Sequence, residues 1–132
     1  MSTPDRSPPK PRPVYLNLVA IRLPLPGIVS ILHRVSGAAL FLFALPLLLW
    51  AVQASLASPE SFAALQSTFA HPLAKLVAIG LVWAYLHHFC AGIRYLLLDL
   101  HVGDDLAPAR RSSMAVIAVS LALTLIVGAR LW

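Results

Sequence analysis

The sequence predicts an all-α membrane protein with three transmembrane helices, and three observations carry that reading. Of its 132 residues 59% are hydrophobic and 11% charged. Mean hydropathy is +0.81. Three runs of 18 or more residues lack Asp, Glu, Lys and Arg, enough for a helix to cross about 30 Å of hydrocarbon. What remains is too short for a soluble catalytic domain. Ten Lys and Arg against five Asp and Glu give a formal charge of +5. These cations flank apolar runs instead of forming one basic face, which argues against a nucleic-acid partner. Cys90 is the only cysteine, so no disulfide forms within the chain, and its apolar setting reads as packing.

Residues 1–21 read as a cytoplasmic N-terminal segment without order, because MSTPDRSPPKPRP holds five prolines and no apolar run. Neither a secretory signal nor a transit peptide is legible in it. Residues 22–132 form the membrane domain, with spans expected at about 29–55, 72–99 and 111–131. The first span rests on 25 uncharged residues from Val35 to Pro59, and Pro46 is expected to bend it without breaking it. The second rests on Leu76–Ile93 and opens after His71-Pro72; the third rests on the run between Arg111 and Arg130. Arg6, Lys10, Arg12, Arg22 and Arg34 precede or open span one, and Arg94, Arg110 and Arg111 flank the connection of spans two and three. The loop from Ala54 to His71 holds Glu60 and no cation, so the positive-inside rule predicts a cytoplasmic N-terminus and a periplasmic C-terminus.

Ionisable groups inside a span cost on the order of 3 kcal/mol by insertion scales, which makes two segments candidates for function. The first is SILHRVSG at 30–37, where Ser30, Arg34 and Gly37 share one helix face. A snorkelling Arg beside an interfacial His is the structural alternative. The second runs from Tyr85 to Asp99, where His88, Gly92, Tyr95 and Asp99 form a stripe and His87 and Arg94 project elsewhere. Gly92 is expected to admit a flat ligand or another backbone beside His88. A buried imidazole needs a partner, either a hydrogen bond from a neighbouring helix or iron. A porphyrin on His88 would send its propionates toward Arg34 and His33. No second intramembrane His in this chain is well placed as an axial ligand, so that ligand is expected from another subunit.

These two segments resemble the signatures of the cytochrome b556 anchor subunits of succinate dehydrogenase. Arg12-Pro13 with Leu16 and Leu18, SILHRVSG at 30–37 and HFCAGIRYLLLD at 88–99 carry the resemblance across nearly the whole chain. The resemblance implies haem b with His88 as an axial iron ligand, and His33 and Arg34 near its propionates. It also implies a ubiquinone site that includes Ser30, Ile31 and Arg34. The implied partners are a second small anchor subunit supplying the other axial ligand, an iron-sulfur subunit and a flavoprotein; FAD and the iron-sulfur clusters would reside in those partners. Succinate oxidation in the tricarboxylic acid cycle would then feed quinone reduction in the bacterial inner membrane, with no chemistry on succinate by this chain. Tyr95 stands where the family commonly has a second His. The alternatives are a fumarate reductase anchor with reversed electron flow, and a haem-free scaffold or transporter in which His88 and Arg34 are packing or substrate contacts.

Overall fold

The computed structural model describes residues 20–132. Most of the 1–21 segment, with Arg12, Pro13, Leu16 and Leu18, lies outside the described residues. Among the described residues every regular element is helical: α1 Leu25–Ala39, a π-helical turn Leu40–Ala44, α2 Leu45–Ala57, α3 Pro59–Ala70, α4 Pro72–Asp99 and α5 Leu106–Leu131. Three helical stretches are long and apolar enough to cross a membrane: Leu25–Ala57, Pro72–Asp99 and Leu106–Leu131.

The first stretch is continuous through Pro46. Proline lacks the N–H that would reach the Leu42 carbonyl, and its ring crowds that carbonyl. The preceding turn widens in response: the Leu45 N–H bonds to the Leu40 carbonyl five residues back, the geometry of a π-bulge. At 33 residues this rod is about 50 Å long, well over the hydrocarbon thickness.

Helix α3 is a fourth element that the apolar runs do not announce. Its start is written in Ser58-Pro59-Glu60-Ser61: the Ser61 N–H donates to Ser58 Oγ at 3.2 Å, and the Ser58 N–H donates to Ser61 Oγ at 3.0 Å. This reciprocal cap precedes Pro59 at the first helical position. Helix α4 follows at once, with His71 Nδ1 accepting from the Leu73 N–H at 3.2 Å. It stops in a Schellman turn, where Val102 N–H bonds Leu97 O and His101 N–H bonds Leu98 O, both at 2.9 Å. His101 holds the left-handed φ of 57° that this turn requires.

Helix α4 lies against α1 and α5, and Val29, Ala91 and Val116 form the core where the three meet. Along α5 the buried positions are Ala109, Ser113, Val116, Ser120 and Thr124. Small residues at helical spacing let the backbones approach closely. The three buried hydroxyls return to their own helix, as when Ser113 Oγ donates to Ala109 O at 2.7 Å. Only 6%, 17% and 17% of the most apolar windows of the three spans are buried within the chain. Phe41, Leu48, Leu56 and Leu125 accordingly face outward, a surface suited to lipid or to further membrane helices.

Candidate functional site

The side of α4 turned into the bundle carries Ala84, His87, Ala91 and Arg94. His87 and Arg94, which the stripe assigned elsewhere, are therefore interior residues, and His88, half-buried, faces α1. The stripe of His88, Gly92, Tyr95 and Asp99 flanks the interior face instead of forming it.

His88 and His33 meet face to face, with ring centroids 4.2 Å apart and planes 10° apart. His88 Nδ1 lies 3.0 Å from the backbone carbonyl oxygen of His33. A carbonyl only accepts, so the proton is assigned to Nδ1 and Nε2 keeps its lone pair. Among the described residues Nε2 has no hydrogen-bond partner. The buried Ser36 hydroxyl donates to the same His33 carbonyl at 2.9 Å and stands 3.4 Å from His88 Nδ1. With its proton committed to the carbonyl, Ser36 Oγ can only accept from Nδ1, which reinforces the same tautomer.

One glycine makes this approach possible. A Cβ on Gly37 would sit 2.7 Å from His88 Cε1 and 3.2 Å from its Nδ1. A Cβ on Gly92 would instead meet His33 Nε2 at 3.8 Å. Gly37 thus seats His88, whereas a Cβ on Gly92 would make only ordinary contact with His33. Helical side chains lean toward the N-terminus of their helix, so His88 leans away from Gly92 and leaves it to the ring arriving from α1. Gly37, one turn after His33 in the first polar segment, is the sequence signal that could have revealed the close approach of His88.

The quinone candidates lie on α1. Arg34 Nη2 donates to Ser30 Oγ at 3.1 Å, one helical turn apart, with Arg34 exposed and Ser30 half-buried. Ile31 is also exposed. His33 is half-buried and links this group to His88. Tyr95 tilts against His33 at 5.1 Å between centroids, with its hydroxyl buried and unpartnered.

His87 is fully buried and stacks on Trp83 at 5.3 Å. Neither of its ring nitrogens has a hydrogen-bond partner among the described residues. Adjacent in sequence, His87 and His88 are thus separated by role: one is sealed inside the chain, while the other is half-buried beside α1. Among the described residues no group of three His, Cys, Asp or Glu could hold a metal ion by itself. His33 and His88 meet by their faces, so the pair cannot clamp one metal between two nitrogens.

Residues 8–127 match the model of the succinate dehydrogenase/fumarate reductase transmembrane subunit family. The chain belongs to this family. It is 35% identical over 115 residues to the succinate dehydrogenase cytochrome b556 subunit of Paracoccus denitrificans, covering 87% of this chain and 88% of that protein. The cytochrome b556 subunit of Coxiella burnetii is 36% identical over 92% of this chain and 97% of its own length. That of Rickettsia felis is 31% identical over 87% and 89%. The protein is accordingly a multi-pass subunit of the bacterial inner membrane, of a family whose cytochrome name denotes haem and respiratory electron transport.

Proposed function

We propose that this protein is the cytochrome b556-type anchor of a succinate:quinone oxidoreductase, supplying one axial ligand to haem b through His88. The observation that carries the reading is the 3.0 Å contact of His88 Nδ1 with the His33 carbonyl. Metal-bound histidines characteristically donate their other N–H to such an acceptor, which fixes the tautomer and raises the basicity of the ligating nitrogen. His88 is therefore a ready ligand, whereas His87 is not. When bound, the haem supplies a one-electron carrier. His33 and Arg34 offer positive or hydrogen-bonding groups to its carboxylates, and the second axial ligand comes from a second anchor subunit.

Ser30, Ile31 and Arg34 form this chain's part of the ubiquinone site. Ile31 gives an apolar wall, while the Ser30 hydroxyl and the Arg34 guanidinium can donate to a quinone carbonyl as it gains electron density. Their existing mutual hydrogen bond holds both donors on one side of α1. The flavoprotein and iron-sulfur subunits, which carry FAD and the clusters, dock at the membrane face that bears the α4–α5 connection. The 1–21 segment and that connection lie in the cytoplasm, residues 22–132 form the membrane domain, and the C-terminus is periplasmic, as the distribution of Arg and Lys favours. The isolated chain performs no catalysis. Because the named relatives are succinate dehydrogenase subunits, the reading takes succinate oxidation as the direction.

A reduced-minus-oxidised visible spectrum of the gently solubilised complex, with its co-purifying subunits identified, tests this. A b-type haem accompanied by a flavoprotein and an iron-sulfur protein is the expected result. A haem-free, fully assembled complex would make His88 a packing residue and leave a scaffold role.

A further inference from the structure

Arg94 is 6% exposed, yet among the described residues no countercharge pairs with it. Its Nε donates to Ser112 Oγ at 2.9 Å, its Nη2 reaches the Ala109 carbonyl at 3.4 Å, and its guanidinium lies 5.3 Å from the centre of the Tyr95 ring. All three partners are neutral. Among the described residues the one charged pair is His101 with Asp104, elsewhere in the α4–α5 connection. A guanidinium has five N–H donors. Nη1 uses none among the described residues, and it is not sealed from the exterior. A cation held this way in a low dielectric is costly unless an anion joins it.

The structure provides the space for one. Arg94 and Ser112 line a cavity of about 270 Å³ between the end of α4 and the start of α5, whose remaining walls include Leu98, Val102 and Pro108. Cys90 and Ile93 also line a second hollow of about 220 Å³ that continues between the helices against Ala115, Val116 and Val119, with no charged residue in its walls. From Pro108 to Val119 is about 17 Å along α5, close to the roughly 15 Å of one leaflet's hydrocarbon. The polar end sits at the right depth. Helix α4 has 28 residues and is about 42 Å long, so about 6 Å at each end clears the hydrocarbon core. Arg94, five residues before its end, falls near the boundary with the headgroups. It also lies about 120° around the helix from His88, on a different side from the His33–His88 pair.

We propose that this groove binds an anionic phospholipid, with the phosphate on the free Nη1 of Arg94, whose Nε is held by Ser112, and one acyl chain along Cys90, Ile93 and Ala115. Arg94 supplies the fork of donors that suits a phosphate. Exposed Arg110 and Arg111 at the same end of α5 favour a net negative headgroup over a zwitterionic one. The site requires the membrane setting but not the haem, so its fate is separable from that of the cofactor reading.

The test uses the complete complex. Native mass spectrometry counts the phospholipid retained in mild detergent. The delipidated complex is then titrated with phosphatidylglycerol, phosphatidylcholine or inorganic phosphate while its thermal midpoint is followed. Phosphatidylglycerol is expected to be retained and to raise the midpoint, whereas phosphatidylcholine and inorganic phosphate leave it unchanged. Arg94→Gln should weaken phosphatidylglycerol binding about tenfold, the value of a charge-assisted hydrogen bond. Ala115→Phe fills the apolar end without touching Arg94 and should also reduce retention; it decides the matter if the Arg94 variant does not assemble. Equal effects of phosphatidylcholine, or of phosphate alone, would overturn the proposal, as would wild-type lipid retention in an assembled Arg94→Gln or Ala115→Phe complex.

Discussion

His33 and His88 stack at 4.2 Å while the backbone carbonyl of the first accepts from the Nδ1–H of the second. One residue therefore holds the other by both its ring and its main chain. Neither contact could form unless α1 came close to α4, and Gly37 provides that closeness because a Cβ there would lie 2.7 Å from His88 Cε1. Gly37→Ala is accordingly expected to push the imidazole away and to cut haem retention by on the order of tenfold or more, the scale seen when a ligand's support is removed. The haem-to-protein ratio of the purified complex measures it, and an unchanged ratio with an unchanged spectrum would show that His88 does not need this seat.

Ser36 acts on the same carbonyl. Its hydroxyl donates to His33 O and competes there with His88. In Ser36→Ala the freed carbonyl, at 3.0 Å from Nδ1 against 3.4 Å for the weaker hydroxyl acceptor that is lost, should draw the Nδ1–H more strongly, giving Nε2 more anionic character and favouring ferric haem. The expected outcome is a lower midpoint potential with haem content retained, and recovery in Ser36→Thr. Redox titration followed at the haem band reports it, and a potential that does not move would reduce Ser36 to a helix-internal hydrogen bond.

The three spans and the two polar segments were legible because they depend on local signals: apolar length, charge placement and residue types that the bilayer penalises. Which residue seats which imidazole was not legible. That pairing depends on the lean of side chains and the register between helices: the sequence pattern alone allowed a flat ligand or another backbone beside Gly92, and the structure brings the His33 ring near it. Helix α3 escaped for another reason. Its apolar content is modest and its marker is a short cap at Ser58 and Ser61, which only a search for termini would find. The burial of Arg94 followed from α5, where it meets Ser112 and Ala109, a neighbour that the pattern of α4 alone does not show.

Arg34→Ala and Ser30→Ala should separate the two halves of the enzyme's work. Both residues lie on the exposed or half-exposed side of α1, joined by a hydrogen bond at 3.1 Å, and neither contributes to the core. Loss of one donor to a developing oxyanion costs a factor of about 100 or more where the site is dry, and less where water can replace it. Quinone reduction is expected to fall at least tenfold while succinate oxidation by an artificial dye persists. Parallel loss of both activities would point to failed assembly.

His87 offers the opposite prediction. It is fully buried, and both ring nitrogens lack partners. A buried polar group left unsatisfied costs about 1–3 kcal/mol, and replacing it with an apolar group of similar size removes that cost. His87→Leu should therefore leave the haem spectrum unchanged and hold or raise the thermal midpoint of the assembled complex, provided that the packing against Trp83 is kept. His88→Leu should abolish the b-type spectrum, since it removes the one imidazole among the described residues whose Nδ1–H is held by a backbone carbonyl. Measured together, the adjacent pair distinguishes ligation from packing. A spectral loss in His87→Leu as severe as that in His88→Leu would mean that the buried ring, and not its half-exposed neighbour, supports the cofactor.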